Sequence, residues 1–115
     1  MRTNTTHKQT LVLSFPYRRL NLARITELQN RLHPLVTQPD QEIVLDLRQV
    51  LWIDCSAVGC LVAMNQLALA NRSRLVLTNL TGNVQLLADT LNLSKIINIV
   101  NTEKKSSNSK QLLNC

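Results

Sequence analysis

A carboxylate and a hydroxyl stand two residues apart where one apolar segment ends and a second one begins. Asp54, Cys55 and Ser56 follow Leu51-Trp52-Ile53 and precede a long apolar stretch that predicts a helix. The first N–H groups of a helix lack partners inside the helix and lie at the positive end of its dipole, so this position favours negative charge. Ser56 is therefore either an ordinary helix cap or the acceptor of a phosphate that changes a binding surface.

The neighbours of Ser56 leave similar alternatives. Asp54 either caps the helix or orients Ser56, and Cys55 is either a small filler or a redox-sensitive thiol. A hydrolase nucleophile is a weaker interpretation of Ser56, because the Gly-x-Ser-x-Gly pattern is absent and neither His7 nor His33 gives a sign of a triad. We therefore expect no enzymatic activity, no metal ion and no cofactor.

The composition indicates one small globular domain with an aliphatic core. The chain has 115 residues, of which 44% are hydrophobic but only 3% aromatic. Its formal net charge is +6, yet the basic residues are scattered along the sequence, which favours a solvated basic surface over nucleic-acid binding.

The remaining sequence features bear on the compartment. Three cysteines without framework spacing are typical of reduced thiols in a cytoplasmic protein. We expect no secretory signal and no membrane span, because the start is polar and no apolar run is long enough. The sequence leaves the oligomeric state open.

Strands and helices alternate along the chain. The patterning predicts strands at 10–15, 17–20, 43–47, 74–78 and 96–100, and helices after Asn21, Ser56 and Asn83. Such alternation is typical of an α/β fold with an open, mixed, mostly parallel sheet of four to five strands. The domain covers residues 10–100, between a loose N-terminus at 1–9 and a polar tail at 101–115.

Several single residues carry expectations about these elements. Asn21 should cap the first helix, and Pro34 and Pro39 should close it. Asn92 should end the third helix in the left-handed conformation that Asn tolerates. We expect Trp52 to be a buried packing residue.

The order of these elements and one hexapeptide resemble the STAS domain of bacterial anti-sigma factor antagonists. The family's Asp-Ser-Ser-Gly-Leu-Gly is represented here by Asp54-Cys55-Ser56-Ala57-Val58-Gly59. Cys55 replaces the first serine and Ala57 the first glycine, while Asn21 stands where the family has Asp before the first helix. The resemblance covers roughly residues 10–100.

This resemblance implies a regulatory role. Ser56 occupies the place of the family's phosphoacceptor serine, which a serine kinase that is also the anti-sigma factor phosphorylates. The unphosphorylated protein would bind that partner and so regulate transcription. The alternative is a non-phosphorylated interaction subunit of a lipid-transport ATPase or of a stress-signalling scaffold. The expected partner-binding residues are Asn21, Asp54, Cys55, Ser56, Ala57 and Val58.

Overall fold

Four parallel strands form the main sheet, in the order β1-β3-β5-β6. In the computed structural model, which describes residues 9–100, these strands are β1 (Gln9–Ser14), β3 (Gln41–Asp46), β5 (Arg74–Thr78) and β6 (Asn98–Val100). The short parallel strands β2 (Arg19–Leu20) and β4 (Trp52–Ile53) pair separately with each other. The predicted α/β architecture with a parallel sheet is confirmed, although the last strand begins at Asn98 rather than Ile96.

Three helices connect the strands. They are α1 (Ile25–Val36), α2 (Cys55–Ala70) and α3 (Gly82–Thr90), with 3₁₀ turns at Leu22–Arg24 and Leu93–Lys95. No helix within residues 9–100 is long and apolar enough to cross a membrane. The predicted N-terminus and tail lie outside the described residues, apart from Gln9, which begins β1.

The expectation that Pro34 closes the first helix is wrong. Pro34 lies inside α1, which continues to Val36, and the N–H of Thr37 still donates to the carbonyl of His33. A proline removes one N–H donor and so leaves one carbonyl, that of Asn30, without its helical partner. Both Pro34 and Asn30 are on the exposed side of α1, where water can satisfy that carbonyl.

The core lies between one face of the main sheet and the helices α1 and α2. Alternate residues of the central strands point into it, among them Ile43, Leu45, Leu75 and Leu77, each at most 1% exposed. α2 is apolar around much of its circumference and packs against both α1 and β5. This tight burial fixes where α2 begins.

A buried amide ties α2 to β5 and to the segment that precedes β6. Asn65 is 2% exposed; its Oδ1 accepts from the N–H of Leu75 at 3.1 Å, and its Nδ2 donates to the carbonyl of Ile96 at 3.1 Å. Without the amide, one buried and one partly buried hydrogen bond would be lost, which makes Asn65 structurally important.

Two apolar side chains lie outside the core, contrary to expectation. Trp52 is 53% exposed, because β4 pairs only with β2 and its alternation turns Ile53 inward and Trp52 outward. Leu22, which follows the predicted cap Asn21, is 72% exposed because it belongs to the 3₁₀ turn that precedes α1. The left-handed conformation predicted for Asn92 is confirmed, with φ 53° and ψ 40°.

The bridging role of Asn65 can be tested by truncation. Asn65→Ala should lower the free energy of unfolding by about 2–4 kcal/mol, because it removes two hydrogen bonds to backbone groups and leaves a cavity at a buried position. Gln66→Ala, at the exposed neighbouring position, should change it by less than about 0.5 kcal/mol. Urea denaturation followed by circular dichroism measures both, and equal effects would contradict the bridging role.

Candidate functional site

The predicted site lies at the edge of the main sheet where the parallel strands end. β1 and β3 finish there at Ser14 and Asp46, and α2 starts at the same edge before it returns to the beginning of β5. Open parallel sheets commonly bind ligands and partners at this edge, because loops and helix N-termini converge there. The site is thus positioned by topology before any side chain is considered.

Asp54 is the residue that caps α2. Its backbone is extended, with φ −108° and ψ 173°, and its Oδ1 accepts a hydrogen bond from the N–H of Ala57 at 2.9 Å. The capping role considered for Ser56 is therefore wrong, because α2 begins at Cys55 and Ser56 already lies in its first turn. The capping interpretation of Asp54 is confirmed.

The hydroxyl of Ser56 donates to the same carboxylate. Its Oγ lies 2.7 Å from Oδ1 of Asp54, and the side chain is exposed. This bond, followed by that from the N–H of Ala57, lowers the pKa of Asp54 below its usual value of 3.8. A carboxylate with a lowered pKa is a weak base, so Asp54 orients the hydroxyl of Ser56 and is poorly suited to remove its proton.

Asn21 lies beside this pair and caps the 3₁₀ turn that leads into α1. Its Oδ1 accepts from the N–H of Ala23 at 3.2 Å. The N–H of Leu22, the residue between these two, donates to Oδ2 of Asp54 at 3.3 Å. One carboxylate therefore joins the starts of both helical segments. The predicted cap at Asn21 is confirmed, with the difference that a 3₁₀ turn comes first.

The remaining predicted residues differ in exposure. Cys55 is exposed, whereas Ala57 is completely buried and Val58 is 8% exposed. The side chains of Ala57 and Val58 belong to the core, so of the six predicted residues only Asn21, Asp54, Cys55 and Ser56 reach the surface. Cys60 faces inward and is unpaired, and burial raises the pKa of its thiol.

Sequence reasoning missed two residues near the site, Trp52 and Leu22. Trp52 and Asn21 line one cleft of about 140 Å³ together with Asp54, and the exposed Leu22 follows Asn21 directly. Trp52 could have been found from its pairing with Arg19, but this pairing joins two strands of only two residues, which sequence patterning does not predict. Within the part of the chain that the structure describes, no three His, Cys, Asp or Glu side chains are grouped to hold a metal ion.

The chain is similar to known proteins at the level of family and fold. Residues 3–106 match the family model described as STAS domain. An anti-sigma-factor antagonist (STAS) domain protein from Planctomyces limnophilus superimposes with a TM-score of 0.71 at 14% identity, covering 81% of this chain and 83% of that one. A proposed anti-sigma factor antagonist from Thermotoga maritima gives 0.62 at 19% identity, covering 76% and 77%. No curated protein sequence shows significant similarity.

The capping geometry predicts unequal effects of two alanine substitutions. Asp54→Ala should lower the free energy of unfolding by about 1–2 kcal/mol, because it removes the cap of α2. Ser56→Ala should change it by less than about 0.5 kcal/mol, because the lost exposed hydrogen bond is offset by the helix propensity of alanine. Urea denaturation measures the free energy of unfolding of both variants. An equal decrease for Ser56→Ala and Asp54→Ala would contradict the assignment of Asp54 as the cap.

The lowered pKa of Asp54 predicts a loss of stability in acid. A carboxyl group with a lowered folded-state pKa stabilises the fold above its unfolded value of 3.8, and this contribution is lost as the pH falls through the folded value. Asp54→Asn retains a good cap but cannot titrate, so its free energy of unfolding should fall less than that of the wild type as the pH is lowered from about 5 to about 2.

The comparison isolates Asp54 even though another carboxyl group also titrates low. The pKa of Asp46 is lowered as well: burial opposes the shift, but the hydrogen bond from the N–H of Arg48 and others outweigh it. Asp46 is present in both proteins, so its contribution cancels in their difference. Parallel acid-induced unfolding curves of wild type and Asp54→Asn would contradict the prediction.

Proposed function

Because this chain belongs to the STAS domain family, we propose that it is an anti-sigma factor antagonist whose partner contact is switched by phosphorylation of Ser56. The partner would be an anti-sigma factor that is also a serine kinase of the ATP-binding type. The unphosphorylated protein would bind this partner in the cytoplasm, and the phosphorylated protein would release it. The chain itself would act as a non-enzymatic regulator of transcription.

The observation that carries this proposal is the exposed hydroxyl of Ser56, held by Asp54 in the first turn of α2. An acceptor hydroxyl must be accessible to the kinase and held in one orientation, and this contact supplies the orientation. The surrounding fold is rigid, because the next two residues, Ala57 and Val58, are buried in the core. A kinase would therefore meet Ser56 as a fixed feature of the surface.

Phosphorylation would change the charge of the site without a need to change its fold. A phosphoserine carries about −1.5 to −2 charges at pH 7 and its ester oxygen has no proton to donate. Asp54 would lose the hydrogen bond from Ser56 and gain a negative neighbour. The positive end of the α2 dipole would partly compensate that charge, so the helix should tolerate the phosphate.

The same geometry argues against catalysis by Ser56 itself. Activation of a serine nucleophile needs a base whose pKa is near the working pH, and the pKa of Asp54 is lowered instead. His33, a residue of α1, makes no described hydrogen bond through its ring to this site. These features support a binding role.

The switch can be tested with two nearly isosteric substitutions. Ser56→Asp should abolish binding to the proposed anti-sigma factor kinase, because it adds a negative charge next to Asp54. Ser56→Asn, of similar size but neutral, should bind within about threefold of the wild type. Ser94→Asp, at an exposed serine in the second 3₁₀ turn, is the control for added charge and should bind normally. Isothermal titration calorimetry measures the four affinities.

Phosphorylation itself is measured by intact mass spectrometry after incubation with that kinase and ATP. The wild type should gain one phosphate and Ser56→Ala none. An unmodified wild type, together with normal binding by Ser56→Asp, would contradict the switch. Stable binding to a transporter ATPase in place of the kinase would favour the role of a constitutive STAS subunit.

A further inference from the structure

The structure gathers arginines that are scattered in the sequence. Arg18, just before β2, and Arg19, its first residue, are both exposed, and within residues 9–100 neither forms an ion pair. Arg24 and Arg48 line the same edge and form ion pairs within their own segments, but their side chains remain 41% and 60% exposed. The edge next to Ser56 therefore carries four arginines, two of which form no ion pair within residues 9–100.

The segment that carries these arginines is firmly anchored. The carbonyl of Arg18 accepts hydrogen bonds from the N–H groups of Leu51 and Trp52, at 2.7 and 3.1 Å. The guanidinium of Arg24 lies 3.7 Å from the centre of the Tyr17 ring. Charged groups on a rigid support lose less conformational entropy when they bind, which makes this edge suited to recognition.

Exposed apolar side chains are interleaved with the arginines. Leu22 is 72% exposed, Leu51 40% and Trp52 53%. Trp52 is the only tryptophan of the chain. Tryptophan and arginine are the residue types that contribute most often to the energy of protein–protein interfaces, particularly where they border a recess.

Three adjoining clefts separate these side chains. Trp52 and Arg19 border the cleft of about 140 Å³ beside Asp54. Arg19 also borders a second cleft of about 340 Å³, and Arg18 lies between this one and a third of about 450 Å³. A concave, divided surface accepts the separate side chains of a protein segment, whereas a flat lipid surface would not enter it.

We propose that this edge docks an acidic segment of the partner protein that carries at least one aliphatic side chain. Its carboxylates would pair with Arg18 and Arg19, and its aliphatic side chain would fill the cleft beside Trp52. This inference rests on the proposed function and adds the chemistry of the partner.

The arrangement also gives a reason for the direction of the switch. Asp54 borders the cleft beside Trp52 and accepts the hydrogen bond from Ser56, so a phosphate on Ser56 would lie next to the docking edge. That phosphate would repel an acidic segment and compete with it for Arg19. Phosphorylation would thus oppose docking through charge at the same edge.

The proposal is tested on the full chain, labelled with ¹⁵N, by titration with a short synthetic peptide of glutamate, aspartate and leucine. The indole N–H signal and the fluorescence of Trp52 should shift, and the affinity should fall as salt is added. Arg19→Glu should weaken binding at least about tenfold, because it removes one attraction and adds one repulsion. Lys95→Glu makes the same charge change at an exposed position in the 3₁₀ turn that precedes β6, at the opposite edge of the sheet. Its affinity for the peptide should stay within about twofold of that of the wild type.

Matched ligands separate the alternatives. A peptide with serine in place of leucine should bind less tightly. Tighter binding of a DNA oligonucleotide or of phosphatidylserine vesicles would overturn the proposal, as would equal effects of Arg19→Glu and Lys95→Glu or the absence of any Trp52 shift. If Arg19→Glu fails to bind the acidic peptide while Ser56→Asp binds it normally, the docking edge is supported and the phosphoswitch is contradicted. The opposite pattern would contradict the docking edge alone.

Discussion

The carboxylate of Asp54 is the contact on which the geometry of this surface depends. It accepts hydrogen bonds from the N–H of Ala57, the hydroxyl of Ser56 and the N–H of Leu22. The backbone of Asp54 makes a further bond to the same region, because its N–H donates to the carbonyl of Leu20 in β2. The start of α2 and the approach to α1 are therefore fixed relative to each other by one residue, and Ser56 is fixed with them.

Burial on the inner side explains why this contact can be precise. The first turn of α2 is anchored by Ala57, and the next turn by Leu61, neither of which is exposed at all. A shift of the helix along its axis would move both from well-packed positions and disturb the bridge made by Asn65. The outer side of the same turn is free of packing constraints, so a modification of Ser56 can alter the surface and leave the core in place.

The sequence was sufficient for the fold because its signals are local and repeated. Alternating apolar segments predicted the order of strands and helices, and Asn21 and Asn92 marked two helix boundaries through their intrinsic backbone preferences. Asp54 and Ser56 were found together, but their roles as cap and donor depend on a helix start that differs by one residue. The exposure of Trp52 could not be read from composition, since it follows from a two-residue pairing between distant segments.

The clustering of the basic residues also could not be predicted from the sequence, because it depends on how the strands pair. Arg18 and Arg48 are thirty positions apart in the sequence, yet the parallel pairing of β1 with β3 brings the loops that follow these strands to one cleft. Charge at such an edge acts over a distance of about 8–10 Å in physiological salt, which is comparable to the spacing of neighbouring loops. In the proposed complex, the arginines attract the acidic segment and also soften the repulsion between Asp54 and a phosphate on Ser56. If the proposal holds, one basic edge would serve both the bound and the phosphorylated states, and the fold would not need to rearrange between them.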